Sequence, residues 1–315
     1  MSFRGKMFHY MLKYRHLMKG KLKAEVIDEN SDINLIRRES EEAAEKLVKK
    51  IEGITYEQAD FQDFYAEWVK VENAPENKIV LYFHGGGFVM GSAKSHRNIV
   101  GNFAKRLGIN LLVFDYRLAP ENPAPAAVYD SVKIYKWLID IGYLPENIFF
   151  AGDSAGGGIA LGTMLKIKDD GIPMPAGCLA FSPCVDMTLS GESIKSKADA
   201  DPCTPKGANE TYTKYYVGSG DPLHPYTSPL FGDLSGLPPI MIYVGENETL
   251  LDDSVRFAEK AKKAGVEVEL NVQKGMFHCF PLLAPMFPEA TGAMNNSCSF
   301  IKKLFKLQNN IKNYE

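Results

Sequence analysis

Six short apolar runs, separated by stretches of helical periodicity, constrain this chain more than any other feature. They are IVLYF (79–83), LLVFDY (111–116), NIFFA (147–151), CLAFS (178–182), IMIYV (240–244) and VEVELNV (266–272). Most are continuously apolar, as strands covered on both faces are. Helical patterning fills about 95–107, 127–141, 155–169, 252–264 and 289–306 between and after them. Strands that alternate with helices need right-handed crossovers, which predicts an α/β fold with a mostly parallel sheet flanked by helices. Upstream, Phe64, Ala66 and Trp68 alternate with Tyr65, Glu67 and Val69, a period-two strand signal.

The chain has 315 residues, enough for a large core. Its apolar fraction of 45% and charged fraction of 24% match globular averages. The net charge of −3 supplies no overall basic field, so no nucleic-acid partner is expected. No apolar window is long enough for a membrane span. The five cysteines are odd in number and form no CxxC pair, and the N-terminus has no apolar leader core. Reduced thiols and a cytoplasmic location are therefore expected.

Residues 1–23 carry seven Lys or Arg and no acid. Phe3, Met7, Met11, Tyr14 and Met18 recur at helical spacing. Such a helix can lie on an anionic membrane or pack on the rest of the protein. Packing is the expectation, since amphipathic helices mostly serve it. A second amphipathic helix is expected over Ile36 to Ile51, ending near Gly53. A long polar interruption at 185–228 contains Tyr212, Tyr215 and Tyr216. Long insertions in compact domains are often lids. Residues 51–315 are thus read as one catalytic domain, with residues 1–50 and an insertion of about 186–225 forming a helical cap.

Gly152-Asp153-Ser154-Ala155-Gly156 sits after a strand and before a helix. That context is the one a nucleophile elbow requires: a strained turn presents the serine hydroxyl above the sheet, and bulky neighbours would clash. A glycine-rich turn without chemistry is the alternative for this motif taken alone. No GK[ST] follows the glycines, which disfavours phosphate binding. His84-Gly85-Gly86-Gly87-Phe88 follows the strand IVLYF. Its bare amides suit an oxyanion, and Gly86, Gly87 and Ala155 are the expected donors. His84 precedes the nucleophile and is read as structural. No ligand-spaced cluster suggests a metal.

A nucleophile elbow works with a triad whose members run serine, then acid, then histidine along the chain, so the acid and the histidine are sought after Ser154. His278 lies in the loop after the last apolar run, whereas His224, the other later histidine, lies in the insertion. The acid is one of Glu246, Glu248, Asp252 and Asp253, with Glu248 favoured by its place in the loop after IMIYV. Arg117 is read as pairing with a carboxylate, and Asp153 as shaping the turn.

Six segments together resemble the hormone-sensitive-lipase family of α/β-hydrolases. They are YFHGGGFVMGS (82–92), DYRLAPENPAPAA (115–127), GDSAGGGIA (152–160), TSPLFGDLSGLPP (227–239), VGENETLLDDS (244–254) and GMFHCF (275–280). The resemblance implies an α/β-hydrolase fold with a cap over an acyl-binding cleft, and no cofactor. It carries over Ser154 as nucleophile, His278 as base and the HGGG glycines as oxyanion donors. It also supports position 248 for the acid, where many relatives have aspartate and this chain has glutamate.

The expected activity is hydrolysis of short- to medium-chain carboxylic esters through an acyl-enzyme. An amidase or peptidase, a lipase and a non-catalytic receptor are the alternatives. Phe88, Val89, Met90, Tyr212, Tyr215 and Tyr216 are candidates for the substrate pockets. The expected partner is a small-molecule ester. The last strand, as an open sheet edge, makes a homodimer possible.

Overall fold

A computed structural model describes residues 1–18, 26–47 and 49–306. Lys19, Lys21 and Lys23 of the basic N-terminal stretch, and Val48 of the expected second helix, lie outside the described residues.

The six apolar runs and two strands upstream of them form one eight-stranded sheet in the order β1-β2-β4-β3-β5-β6-β7-β8. Its members are β1 (Ile54–Gln58), β2 (Ala66–Val71), β3 (Ile79–Phe83), β4 (Asn110–Phe114), β5 (Ile148–Asp153), β6 (Cys178–Phe181), β7 (Ile240–Gly245) and β8 (Val268–Gln273). β1 and β2 pair antiparallel, as do β2 and β4; all other neighbours are parallel. β1 is not visible as an apolar run. Only Ile54 of its five residues is buried, because the strand lies at the sheet edge. β8 forms the opposite edge.

β3, β5, β6 and β7 are buried along their whole length, as continuous apolar runs require. α5 (Ala126–Asp140), α6 (Ala155–Asp169) and α9 (Leu251–Lys263) cover one face. α4 (Arg97–Leu107) and α10 (Pro288–Leu304) cover the other. Each face buries many Phe, Leu, Ile and Val side chains, worth about 1.5–3 kcal/mol apiece when fully withdrawn from water. That layered packing makes the platform on which the loops at the strand ends are held.

Three helices precede the sheet: α1 (Phe3–Lys13), α2 (Arg15–Met18) and α3 (Ile33–Leu47). α3 starts earlier than expected because Asp32 Oδ1 accepts the amides of Asn34 and Leu35, a cap that starts the helix. Ile51 lies beyond it. The insertion after β6 holds α7 (Ser193–Ser196) and α8 (Ala208–Val217). It meets the N-terminal segment: the Ile27 amide donates to Lys206 O at 2.9 Å, and Lys214 pairs with Glu29.

The stripe read from the spacing in α1 is not its packing face. Phe3, Met7, Met11 and Tyr14 are exposed, and the side chain of Met18, the fifth member of that stripe, lies outside the described residues. Gly5 is buried, and Phe8 and Leu12 pack into the core beside α10. α1 carries two apolar faces, and spacing alone picked the outer one.

Candidate active site

Ser154 stands between β5 and α6 with φ 54° and ψ −122°. A side chain held at such a φ costs roughly 1–3 kcal/mol and needs surroundings that enforce it. Here the Ser154 amide donates to Phe181 O at 2.8 Å, and Ser154 O accepts the Cys184 amide at 3.2 Å. Gly156 is required by close approach, since a Cβ there would sit 2.1 Å from Phe83 O. The turn thus aims the hydroxyl away from the sheet while α6 begins behind it, positive end forward.

His278 follows β8 in a tight loop, and its Nε2 lies 2.9 Å from Ser154 Oγ. Its Nδ1 lies 3.3 Å from Glu248 Oε1. Glu248 is fully buried, and its other oxygen accepts the Ser182 hydroxyl at 2.9 Å and the Gly245 amide at 2.7 Å. Three side chains distant in sequence therefore form one continuous hydrogen-bonded row. With Nδ1 protonated toward Glu248, the Nε2 lone pair faces the serine.

The competing acids are occupied elsewhere. Glu246 Oε2 accepts the Gly275 amide at 2.8 Å and braces the loop before His278. Asp252 Oδ2 accepts the Ser193 amide at 2.9 Å and ties α7 to α9. Asp253 Oδ2 accepts the amides of Val185 and Asp186 at 2.8 and 3.0 Å. His224 accepts the Tyr226 amide on the surface and lies away from this row. Arg117 pairs with Asp130, Nε to Oδ2 at 2.8 Å.

Burial alone lowers the pKa of the His278 imidazole, but neighbouring Cys279 and the Glu248 carboxylate hold it well above the ordinary histidine value. Burial pushes the Cys279 thiol up to about 11, so it is neutral at pH 7 and Glu248 is the charge that matters. Burial likewise raises Glu248, against the opposing pull of His278.

The glycine loop after β3 lies over the elbow. Asp153 Oδ1 accepts the Gly85 amide at 3.1 Å and the Tyr82 hydroxyl at 2.8 Å. Gly85 is thereby pinned to the residue next to the serine. Gly86, Gly87 and Ala155 border the same cavity as Ser154 and His278. His84 is fully buried, stacked on Tyr116 at 4.2 Å, and burial pulls its pKa down to about 3. It is a neutral brace for the loop.

The cavity encloses about 440 Å³. Phe88, Met90 and Tyr212 line it; Val89, Tyr215 and Tyr216 do not. Val89 is turned fully into the core, and Tyr216 lies beneath the cavity wall, stacked on Phe88 at 3.7 Å. Tyr215 packs partly buried against the core. Sequence reading missed Ile36 and Ser40 of α3, Asn209 and Thr213 of α8, and Cys184, Cys203 and Cys279, all on the wall. It also missed Ser182, which touches Glu248 and accepts the Cys279 amide. Apart from Cys279, which lies within GMFHCF, no motif marks these positions; only the loops' convergence does.

A family model described as an alpha/beta hydrolase fold matches residues 80–282. The chain belongs to this alpha/beta-hydrolase family. An acetyl-hydrolase of Streptomyces hygroscopicus is 35% identical over 237 residues, 75% of this chain and 79% of that protein. An esterase of Acinetobacter venetianus is 37% identical over 232 residues, 73% and 77% of the two chains. A solved esterase from the bacterial hormone-sensitive lipase family is 34% identical, with a TM-score of 0.87 over 96% of this chain and 99% of that one. The resemblance read from the six segments is thus borne out, and this alpha/beta hydrolase is an enzyme of the esterase class.

Proposed function

We propose that this alpha/beta hydrolase cleaves short- to medium-chain acyl esters through a Ser154–His278–Glu248 triad. The observation that carries this reading is the row from Ser154 Oγ to His278 Nε2 at 2.9 Å and from Nδ1 to Glu248 at 3.3 Å. His278 Nε2 takes the Ser154 proton as Oγ attacks the ester carbonyl. The amides of Gly86, Gly87 and Ala155 receive the oxyanion, each worth roughly 3–4 kcal/mol in the transition state. His278 then protonates the leaving alcohol, and water hydrolyses the acyl-enzyme by the same steps in reverse roles. Glu248 holds the imidazole tautomer and balances its positive charge.

A cavity of about 440 Å³, bordered by Phe88, Met90 and Tyr212, suits a compact acyl group. The substrate partner is accordingly a small-molecule ester. The five cysteines are all unpaired, in keeping with a reducing compartment such as the cytoplasm. Among the described residues, no helix is long and apolar enough to cross a membrane. The open edge of β8 is where a second copy would pair, which light scattering tests.

The deciding experiment is a p-nitrophenyl ester series of increasing acyl length, with Ser154→Ala as control. A maximum at short or medium chains, lost by several powers of ten in Ser154→Ala, supports the proposal. A maximum at long chains points to a lipase, and an undiminished rate in the variant overturns the triad.

A further inference from the structure

We propose that the outward face of α1 docks this protein onto an anionic lipid surface. The inner face of the helix is already satisfied. Gly5 is buried, the Phe8 ring lies tilted against Phe287 at 5.5 Å between centroids, and Leu12 packs into the core. The outer face is a second apolar stripe that the described residues leave uncovered. Phe3 is 84% exposed, Tyr10 60% and Met7 52%, with Met11 and Tyr14 exposed beside them.

At about 100° per residue these five side chains fall within an arc of about 100°. Arg4 flanks one margin, and Lys6 and Lys13 flank the other; all three are exposed. This is the cross-section of a helix that lies in a membrane interface. Aromatic and methionine side chains sink to the acyl boundary, while long cationic side chains reach sideways to phosphates. The charge pattern selects the partner, since residues 1–23 contain seven Lys or Arg and no acid. A second copy laid on this face by a twofold axis would bring like charges together. An anionic headgroup layer instead complements every cation.

The location gives the contact a use. Leu12, Lys13 and Tyr14 border a cleft with Thr204 and Pro205, and those two residues also border the Ser154 cavity. Docking through α1 would set that rim of the cavity beside the lipid surface.

The test is sedimentation of the full chain with vesicles of equal parts phosphatidylglycerol and phosphatidylcholine, against phosphatidylcholine alone. The wild-type chain is expected to pellet with the anionic vesicles and to be released by high salt. Phe3→Ser, Met7→Ser and Tyr10→Ser combined should weaken binding about tenfold or more. Arg4→Gln with Lys6→Gln should weaken it about 25-fold, roughly fivefold per cation. Both variants should keep wild-type hydrolysis of a water-soluble ester. The proposal is overturned by equal binding to neutral vesicles, by no binding to anionic ones, or by unchanged binding in either variant. Light scattering that shows a dimer broken by the serine variant, without vesicle binding, would assign the face to a second copy instead.

Discussion

Ser182 donates a hydrogen bond to Glu248, Oγ to Oε2 at 2.9 Å, from the end of β6 to the loop after β7. The same hydroxyl oxygen accepts the Cys279 amide at 3.0 Å, one residue beyond His278. One side chain therefore spaces the proposed acid against the loop that carries the base. Ser182→Ala should lower kcat about ten- to hundredfold with KM nearly unchanged, the cost of a small misplacement of reacting groups. Steady-state kinetics read the split, and a change confined to KM would remove Ser182 from this role.

Glu248→Gln keeps the shape of the acid but not its charge. It should reduce kcat by about a thousand- to ten-thousandfold. Asp252→Ala removes only the tie to the Ser193 amide. It should cost about 1 kcal/mol of stability and leave kcat largely intact. If the Asp252 variant is the more damaging of the two while still folded, the acid has been misassigned.

The pH profile follows from the environment of His278. The imidazole must be neutral to accept the serine proton, so activity falls as pH drops through its pKa. Burial opposes the charged form, but the adjacent groups, Glu248 among them, hold that pKa well above the ordinary value of 6.5. The acid limb of kcat/KM should therefore lie above pH 6.5 for the free enzyme. A limb at or below that value would show that the carboxylate does not dominate.

Gly87 has φ +60°, and a Cβ there would lie 2.5 Å from Tyr212 Cδ2. Gly87→Ala should displace the loop amide and lower kcat by about a hundredfold, near the cost of one lost oxyanion donor. Adding Tyr212→Ala relieves the contact but not the backbone strain, so activity should return only in part. Full return would mean that the contact, not the backbone, sets the loop.

Asp253 offers a stability test outside the site. Burial pushes its carboxyl up to about 7 from an ordinary 3.8, and its Oδ1 has no hydrogen-bond partner. The folded state holds this proton more tightly than the unfolded chain. The group's contribution to stability is therefore fully present below pH 3.8 and lost as pH rises to about 7. Asp253→Asn, which cannot ionise, should raise Tm more at about pH 8 than at about pH 5. Melts that shift equally at both would contradict a buried, proton-binding carboxyl.

Much of this was readable along the chain because some physical demands are local. A serine forced into a strained turn needs Gly152 and Gly156 beside it, and a parallel strand buried on both faces needs a run such as IVLYF. The edge strand β1 escaped notice because burial, which writes the apolar pattern, is nearly absent there. Val89 and Phe88 are neighbours in sequence, yet the positive φ of Phe88 at 67° helps send one ring to the cavity and the other side chain into the core.

Sequence by itself determined the α/β layering, the elbow, the glycine loop and a short set of acids, since each follows from residue type at fixed spacing. Sequence favoured Glu248 among the acids by its place after a strand, but tertiary structure alone brought it to His278, set Ser182 and three cysteines beside the site, and chose which apolar face of α1 is buried. Those outcomes depend on side chains brought together from separate loops and helices, and no local periodicity encodes which of two chemically similar groups the rest of the fold will approach.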